Sequence, residues 1–284
     1  MSSTMLLAAA LAFIGVPPSF SHASGATRPE PPKPRVVRIV AKDFAFDAPA
    51  EIPAGVTLIR LVNRGADIHH IQIMQLPAGK TLQDMMGTLQ TEGPPPAGAV
   101  LLGGPNAVIP GDSSQAIVDL EPGNYALLCV IPGSDMVPHM AKGMAAALRV
   151  TGPAVARTAG VESEVKADVS LDLVDYGFQL SQPLTAGPHM LRVTDRAQQP
   201  HEVVIWQLAP GKTADDLKAW FAASMQGPPP ARPMGGTVAL SAGEENIVPL
   251  NLPPGEYALA CLVPDAKDGA PHLMHGMLRQ ITVR

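Results

Sequence analysis

Aromatic residues make up only 4% of this 284-residue chain, charged residues only 16%, and there are just 2 cysteines. A net charge of −5 with no long basic run leaves no electrostatic footprint for nucleic acid or an anionic membrane surface. No Gly-x-Ser-x-Gly elbow, Cys-x-x-Cys, His-Glu-x-x-His or phosphate loop is present, which removes the common hydrolase and nucleotide-binding chemistries. The longest apolar run, Met5 to Val16, falls short of the roughly twenty residues that a membrane span needs. Followed by Pro17-Pro18 and small residues, it reads instead as a secretory signal over 1–23, although no Lys or Arg precedes it. Such a signal predicts a periplasmic or secreted protein with no span once it is removed. No Cys stands at the cleavage region, so a lipid anchor is not expected. In an oxidising compartment the two cysteines can pair or serve as thiolate ligands.

What the chain has in abundance is turn chemistry, with 31 prolines and 26 glycines, and it has an internal repeat. RLVNRGADIHHIQIMQLPAGKT from Arg60 overlays RVTDRAQQPHEVVIWQLAPGKT from Arg192 at an offset of 132, which also brings Tyr125 onto Tyr257 and Cys129 onto Cys261. An offset of 133 brings Pro138-His139 onto Pro271-His272 and Gly143-Met144 onto Gly276-Met277. Units of this length are whole domains. The expected layout is a Pro-rich leader over 24–34, one copy over 35–151, a polar joint over 152–166 and a second copy over 167–284. Short strand-like runs such as VTLIRLV, QAIVDL and AALRV between Gly/Pro/Asp turns predict an antiparallel sandwich in each copy. Thr81 with Asp84, and Thr213 with Asp216, are capping boxes opening one short helix per copy, and carry no chemistry.

Side-chain alternation places the chemistry-bearing residues. His69 shares a face with Ile71 and Ile73, and His201 with Val203 and Ile205, so both histidines point to the apolar side. Their neighbours His70 and Glu202 fall on the opposite face and are expected to be solvated. Cys129 shares a face with Tyr125 and Leu127, and Cys261 with Tyr257 and Leu259, so both thiols point inward at a strand end. Each copy thus offers an inward His, an inward Cys, and His and Met on the loop after the Cys. Two imidazoles, one thiolate and a weak thioether are the donor set of an electron-transfer copper site. Blander readings stand beside it: Cys as a small hydrophobe, His as a satisfied core residue, Met as filling, or a disulfide between Cys129 and Cys261.

At these residues the chain resembles the cupredoxins, the blue-copper family of Greek-key sandwiches. Tyr125-x3-Cys129 leading into Ile131-Pro132-Gly133 is similar to the matching segment of rusticyanin- and sulfocyanin-type members. His139-x4-Met144 has their His-to-Met spacing, and Asn63 six residues before His69 resembles their Asn-rich approach. The resemblance implies an all-β chain of two tandem Greek-key cupredoxin-like β-sandwiches, each with one short inserted helix. It implies copper ligands His69, Cys129, His139 and Met144 in the first copy and His201, Cys261, His272 and Met277 in the second, for up to two copper ions and a redox partner protein.

The sequence departs from the family in one place. Nine residues separate Cys129 from His139 and ten separate Cys261 from His272, where those relatives have about four. The extra residues can bulge outward and leave the site intact, or carry the His away. Multicopper oxidases and copper nitrite reductases need a second kind of copper centre, built on His-x-His pairs or a His beside the Cys. This chain has neither, so no enzyme is expected. The expected function is an exported copper protein that passes electrons or handles copper. The alternatives are a metal-free module that binds a partner through its Pro/Gly loops, and a Cu(I) carrier using Met74, Met136, Met140 and Met144.

Overall fold

The alternating runs form strands in a computed structural model, which describes residues 1, 34–91, 97–153 and 165–284. The expected signal over 1–23, nearly all of the leader and most of the joint lie outside the described residues. The first copy contains β1 (Arg35–Lys42), β2 (Ala45–Asp47), β3 (Glu51–Pro53), β4 (Gly55–Asn63), β5 (Gln72–Gln75), α1 (Leu82–Thr91), β6 (Val100–Leu101), β7 (Ser113–Leu120), β8 (Gly123–Leu128) and β9 (Ala145–Thr151). The second contains β10 (Val169–Val174), β11 (Gly177–Leu180), β12 (Gly187–Asp195), β13 (His201–Leu208), α2 (Ala214–Ala222), β14 (Ala231–Leu240), β15 (Glu245–Leu252), β16 (Gly255–Ala260) and β17 (Leu278–Val283).

Each copy is a two-layer sandwich around its own core. In the first, Ile39, Ile59 and Val118 pack against Ile73, Leu127 and Leu148; in the second, Leu171, Leu191 and Val248 pack against Ile205, Leu259 and Val283. Two small sheets, β3-β9-β8-β5-β6 and β14-β13-β16-β17, belong to one copy each. The other layer is a single eight-stranded sheet, β11-β10-β12-β15-β7-β4-β1-β2, to which both copies contribute. The strands are not all antiparallel: β1 runs parallel to β4, and β10 to β12. Parallel neighbours need a crossover. In the first copy, β3 supplies it by passing to the other sheet to pair with β9 before the chain returns.

The two copies meet about a pseudo-two-fold axis. Pro105 bridges Thr237, its own counterpart in the repeat. Asn106 N–H donates to Gly236 O at 3.2 Å and Val238 N–H donates to Gly104 O at 3.1 Å, which is one bond read in both directions. Ala107, Ile68 and Ile131 of the first copy pack into an apolar cluster with Val204, Trp206 and Ala260 of the second.

Two local devices recur. Tyr125 and Tyr257, fully buried, donate their hydroxyls to Glu121 O and Pro253 O at 2.7 Å, pinning the strands that end at the cysteines. Both expected capping boxes are present: Thr81 and Thr213 each accept from the Asp N–H three residues on, at 3.2 Å, and donate their own N–H to its carboxylate at 2.8 Å.

Candidate metal centres

The end of β8 delivers Cys129 into the first core, and the segment before β5 delivers His69 opposite it. After the Cys, the chain turns out and back. Gly133 N–H donates to Val137 O, Pro132 bridges Pro138, and His139 N–H then returns to Ile131 O at 2.9 Å. The extra residues therefore form a closed outward bulge, with Met136 and Val137 exposed at its tip. The second copy does the same: Pro264 bridges Pro271, Asp265 N–H donates to Ala270 O, and His272 N–H returns to Val263 O at 3.0 Å. A 3-10 turn follows each bulge, over His139–Lys142 and His272–His275, and seats Met144 and Met277, both fully buried.

This folding brings three donor atoms together twice. In the first copy, Cys129 Sγ lies 3.9 Å from His69 Nδ1 and 3.6 Å from His139 Nδ1, and the two ring nitrogens are 3.1 Å apart. In the second, the corresponding distances from Cys261 Sγ to His201 and His272 are 3.8 and 3.4 Å, with the nitrogens 2.8 Å apart. Both triads are buried and could hold a metal ion. Both cysteines are free thiols in separate cores, so the disulfide alternative is not what the fold adopts. Met144 packs in the core that holds Cys129, and Met277 in the core that holds Cys261. Met74 lies on the opposite face of β5, among Met85 and Leu128, and Met136 is out in solvent. Met74, Met136, Met140 and Met144 therefore do not form one thioether cluster.

The surroundings suit neutral imidazoles. His69 Nε2 sits 3.2 Å from Asp43 Oδ1, and His201 Nε2 sits 3.1 Å from Asp175 Oδ1. A carboxylate that takes the Nε2–H leaves Nδ1 with its lone pair facing the triad, the usual support of a metal-bound His. Burial holds His69, His139 and His272 below the ordinary imidazole range, His272 down to about 4. Burial pushes the Cys129 thiol up to about 11, and burial with the Glu202 charge pushes Cys261 higher still. Cys261 Sγ also accepts from Glu202 N–H at 3.4 Å. Lone-pair nitrogens and an N–H-supported sulfur aimed at one buried point fit a cation, which would deprotonate the thiol on binding.

One expectation is corrected. His70 and Glu202 are not solvated but 5% exposed each: Glu202 is covered by Asn106 of the first copy, and His70 is closed in against Val130 of its own copy at the interface. Glu202 Oε1 accepts from Leu262 N–H at 3.0 Å and Oε2 from Asn106 Nδ2 at 3.1 Å; His70 Nε2 accepts from Val130 N–H at 3.0 Å. The unbroken apolar run Val203-Val204-Ile205-Trp206 was the available signal, since a strand buried on both faces loses its alternation. Asp43 and Asp175 carry no motif of their own, and the signal for them is that they fall at the repeat offset of 132.

Two sandwiches, each closing a buried His-Cys-His triad at the end of a strand, define the class: a tandem β-sandwich protein with two candidate metal centres. No family model and no curated protein matches the sequence. Among solved structures, reduced auracyanin from Roseiflexus castenholzii is similar at 23% identity, over 41% of this chain and 97% of its own, with a TM-score of 0.28. Auracyanin A of Chloroflexus aurantiacus, a "blue" copper protein, aligns at 20% identity over 42% of this chain and 100% of its own, with a TM-score of 0.31. A blue copper oxidase from Nitrosomonas europaea aligns at 20% identity over 88% of this chain and 86% of its own, with a TM-score of 0.26.

Proposed function

We propose that the chain is an exported copper protein that moves single electrons, each repeated unit holding one ion. In this reading residues 35–151 bind through His69, Cys129, His139 and Met144, and residues 167–284 through His201, Cys261, His272 and Met277. The observation that carries it is the twofold recurrence of two imidazole Nδ1 atoms and a thiol within 3.9 Å of one another in a buried pocket. Two nitrogens, a thiolate and a weak thioether suit copper in both oxidation states. Copper in that set supplies a one-electron couple.

The protein's part is to keep the donors still and dry. Asp43 and Asp175 orient one imidazole in each copy, the closed bulge fixes the other, and the tyrosines pin the strand that carries the thiol. With ligands at most 1% exposed, little solvent or side-chain motion accompanies a change of charge. Val130, Met136 and Val137, exposed on and beside the first ligand loop, offer a redox partner an apolar contact close to His139.

Adding Cu(II) to the purified full chain should give an intense visible thiolate-to-copper band and two bound ions. Cys129→Ser should remove one ion and its share of the band, and the double Cys129→Ser/Cys261→Ser change should abolish the colour. Zinc should bind without colour. A colourless, copper-free chain at saturating Cu(II) would sink the proposal.

A further inference from the structure

Each residue next to the first His of a triad grips its own centre. In the first copy, the His70 ring accepts at 3.0 Å from the N–H of Val130, the residue after Cys129. In the second, Glu202 N–H donates to Cys261 Sγ at 3.4 Å, and its carboxylate accepts from Leu262 N–H. The two strands then meet across the pseudo-two-fold axis at one residue. Asn106 follows Pro105, whose carbonyl accepts at 3.0 Å from Ile71 N–H, next to His70, and the two hydrogens of Asn106 Nδ2 are shared among Glu202 Oε2 at 3.1 Å, Val203 O at 3.2 Å and Thr237 O at 2.9 Å. All three residues are buried, and Asn106 is 1% exposed.

This continuous buried row runs from one thiol to the other. We propose that His70, Asn106 and Glu202 couple the two centres, so that an electron accepted at one is passed within the chain to the other. Coupling through covalent and hydrogen bonds decays less steeply than across van der Waals gaps, and no such gap interrupts the row from Cys129 through Val130 N–H to His70, from Ile71 N–H to Pro105 O and Asn106, and from Asn106 Nδ2 through Glu202 to Leu262 N–H and Cys261. The step is a simple exchange: one centre goes from Cu(I) to Cu(II), the other from Cu(II) to Cu(I), and no proton or further reactant is needed. It would give this chain, which lacks a His beside either Cys, a route between its metals that crosses the copy interface. The sequences differ here because the two halves of the row need different roles: Glu202 accepts at both carboxylate oxygens, whereas His70 presents a ring. The inference rests on the copper reading above.

The test uses the copper-loaded full chain carrying Met277→Gln, which should lower the potential of the second centre and shift its colour, since the axial ligand tunes both. A flash of substoichiometric reductant is followed by absorbance as the electron redistributes between the two bands. The expected result is a phase whose rate is independent of protein concentration, slowed at least tenfold by Asn106→Leu and by His70→Leu with both bands intact. His70→Gln, which keeps an acceptor for Val130 N–H, should recover much of the rate. Should Asn106→Leu fail to fold, His70→Leu decides alone, because its ring is not among the groups that hold Val203 and Thr237. A rate proportional to protein concentration, or one indifferent to these substitutions while both bands stand, overturns the coupling alone. Absence of the thiolate-to-copper band in the parent overturns the copper reading and the coupling with it.

Discussion

The two copies agree at the donors and part company one layer out. Triad distances match within about 0.3 Å, and each first His leans on an Asp at the same repeat position. Beyond that, Phe44 edges against His139, while its counterpart Tyr176 edges against His272 and donates its hydroxyl to Asp265. That buried carboxylate lies 3.6 Å from His272 Nε2, whereas His139 Nε2 has only the half-exposed Asp67, at 3.7 Å. Lys142 sits 4.8 Å over the Phe44 ring, while in the second copy Lys218 reaches from α2 to Met274 O. What recurs is what holding a metal requires; what varies is the field around it. The Lys142 charge near the first centre is paired with Asp135 at 2.7 Å, so the main difference in field is the buried Asp265 carboxylate beside His272, which favours the oxidised metal in the second centre.

The strongest way to break the comparison is at the axis. Gly104 and Gly236 share φ values of +126° and +125°, and a Cβ would meet Ile71 O at 2.3 Å in one and Val203 O at 2.0 Å in the other. Both contacts are backbone, so neither can swing aside. Gly104→Ala and Gly236→Ala should each cost about 3 kcal/mol, from strained φ plus overlap. Urea unfolding followed by circular dichroism would measure it. A loss under about 1 kcal/mol in either would show that the loop gives way against its own strand more easily than this close backbone approach requires.

A gentler comparison uses the helix caps, whose hydrogen bonds agree between copies within 0.2 Å. Thr81→Ala and Thr213→Ala should cost the same, about 1 kcal/mol each. Unequal urea midpoints would mean that α1 and α2 differ in how firmly the sandwich holds them. That outcome would locate the difference in Leu217, fully buried on α2, and Met85, its counterpart on α1.

Much of this was legible in the sequence. The repeat offset located Cys129, Cys261 and the first His of each triad, and strand alternation gave their direction. Three things were not legible. The parallel pairing of β1 with β4 depends on β3, only three residues long, crossing sheets, and no local pattern announces that. Where the ligand loop returns depends on single backbone bonds such as His139 N–H to Ile131 O, which side-chain type does not encode. The burial of Glu202 comes from the first copy's Asn106, and alternation within one strand carries no information about what covers its far face.

The smallest expected difference is a charge pair that one copy has and the other lacks. His189 Nδ1 lies 2.6 Å from Asp168 Oδ2, and Nε2 is 2.8 Å from Thr185 O; the first copy has Thr57 and Val36 at the matching positions. Burial opposes charge on His189, but the Asp168 hydrogen bond, the Thr185 carbonyl and the Asp168 charge outweigh it and hold the imidazole above its ordinary value. A raised folded value means that the stabilisation is complete below the unfolded value of 6.5 and is lost as pH rises through the folded value. Asp168, held low, withdraws its share only in acid. With Asp168 about half exposed, solvent screening limits the pair to roughly 0.5 kcal/mol. The stability gap between the parent and His189→Thr, both metal-free, should therefore be widest near about pH 6 and should close toward about pH 8.5. A gap that widens with pH instead would mean that His189 is held neutral, and that the second copy gains nothing from the pair that the first copy lacks.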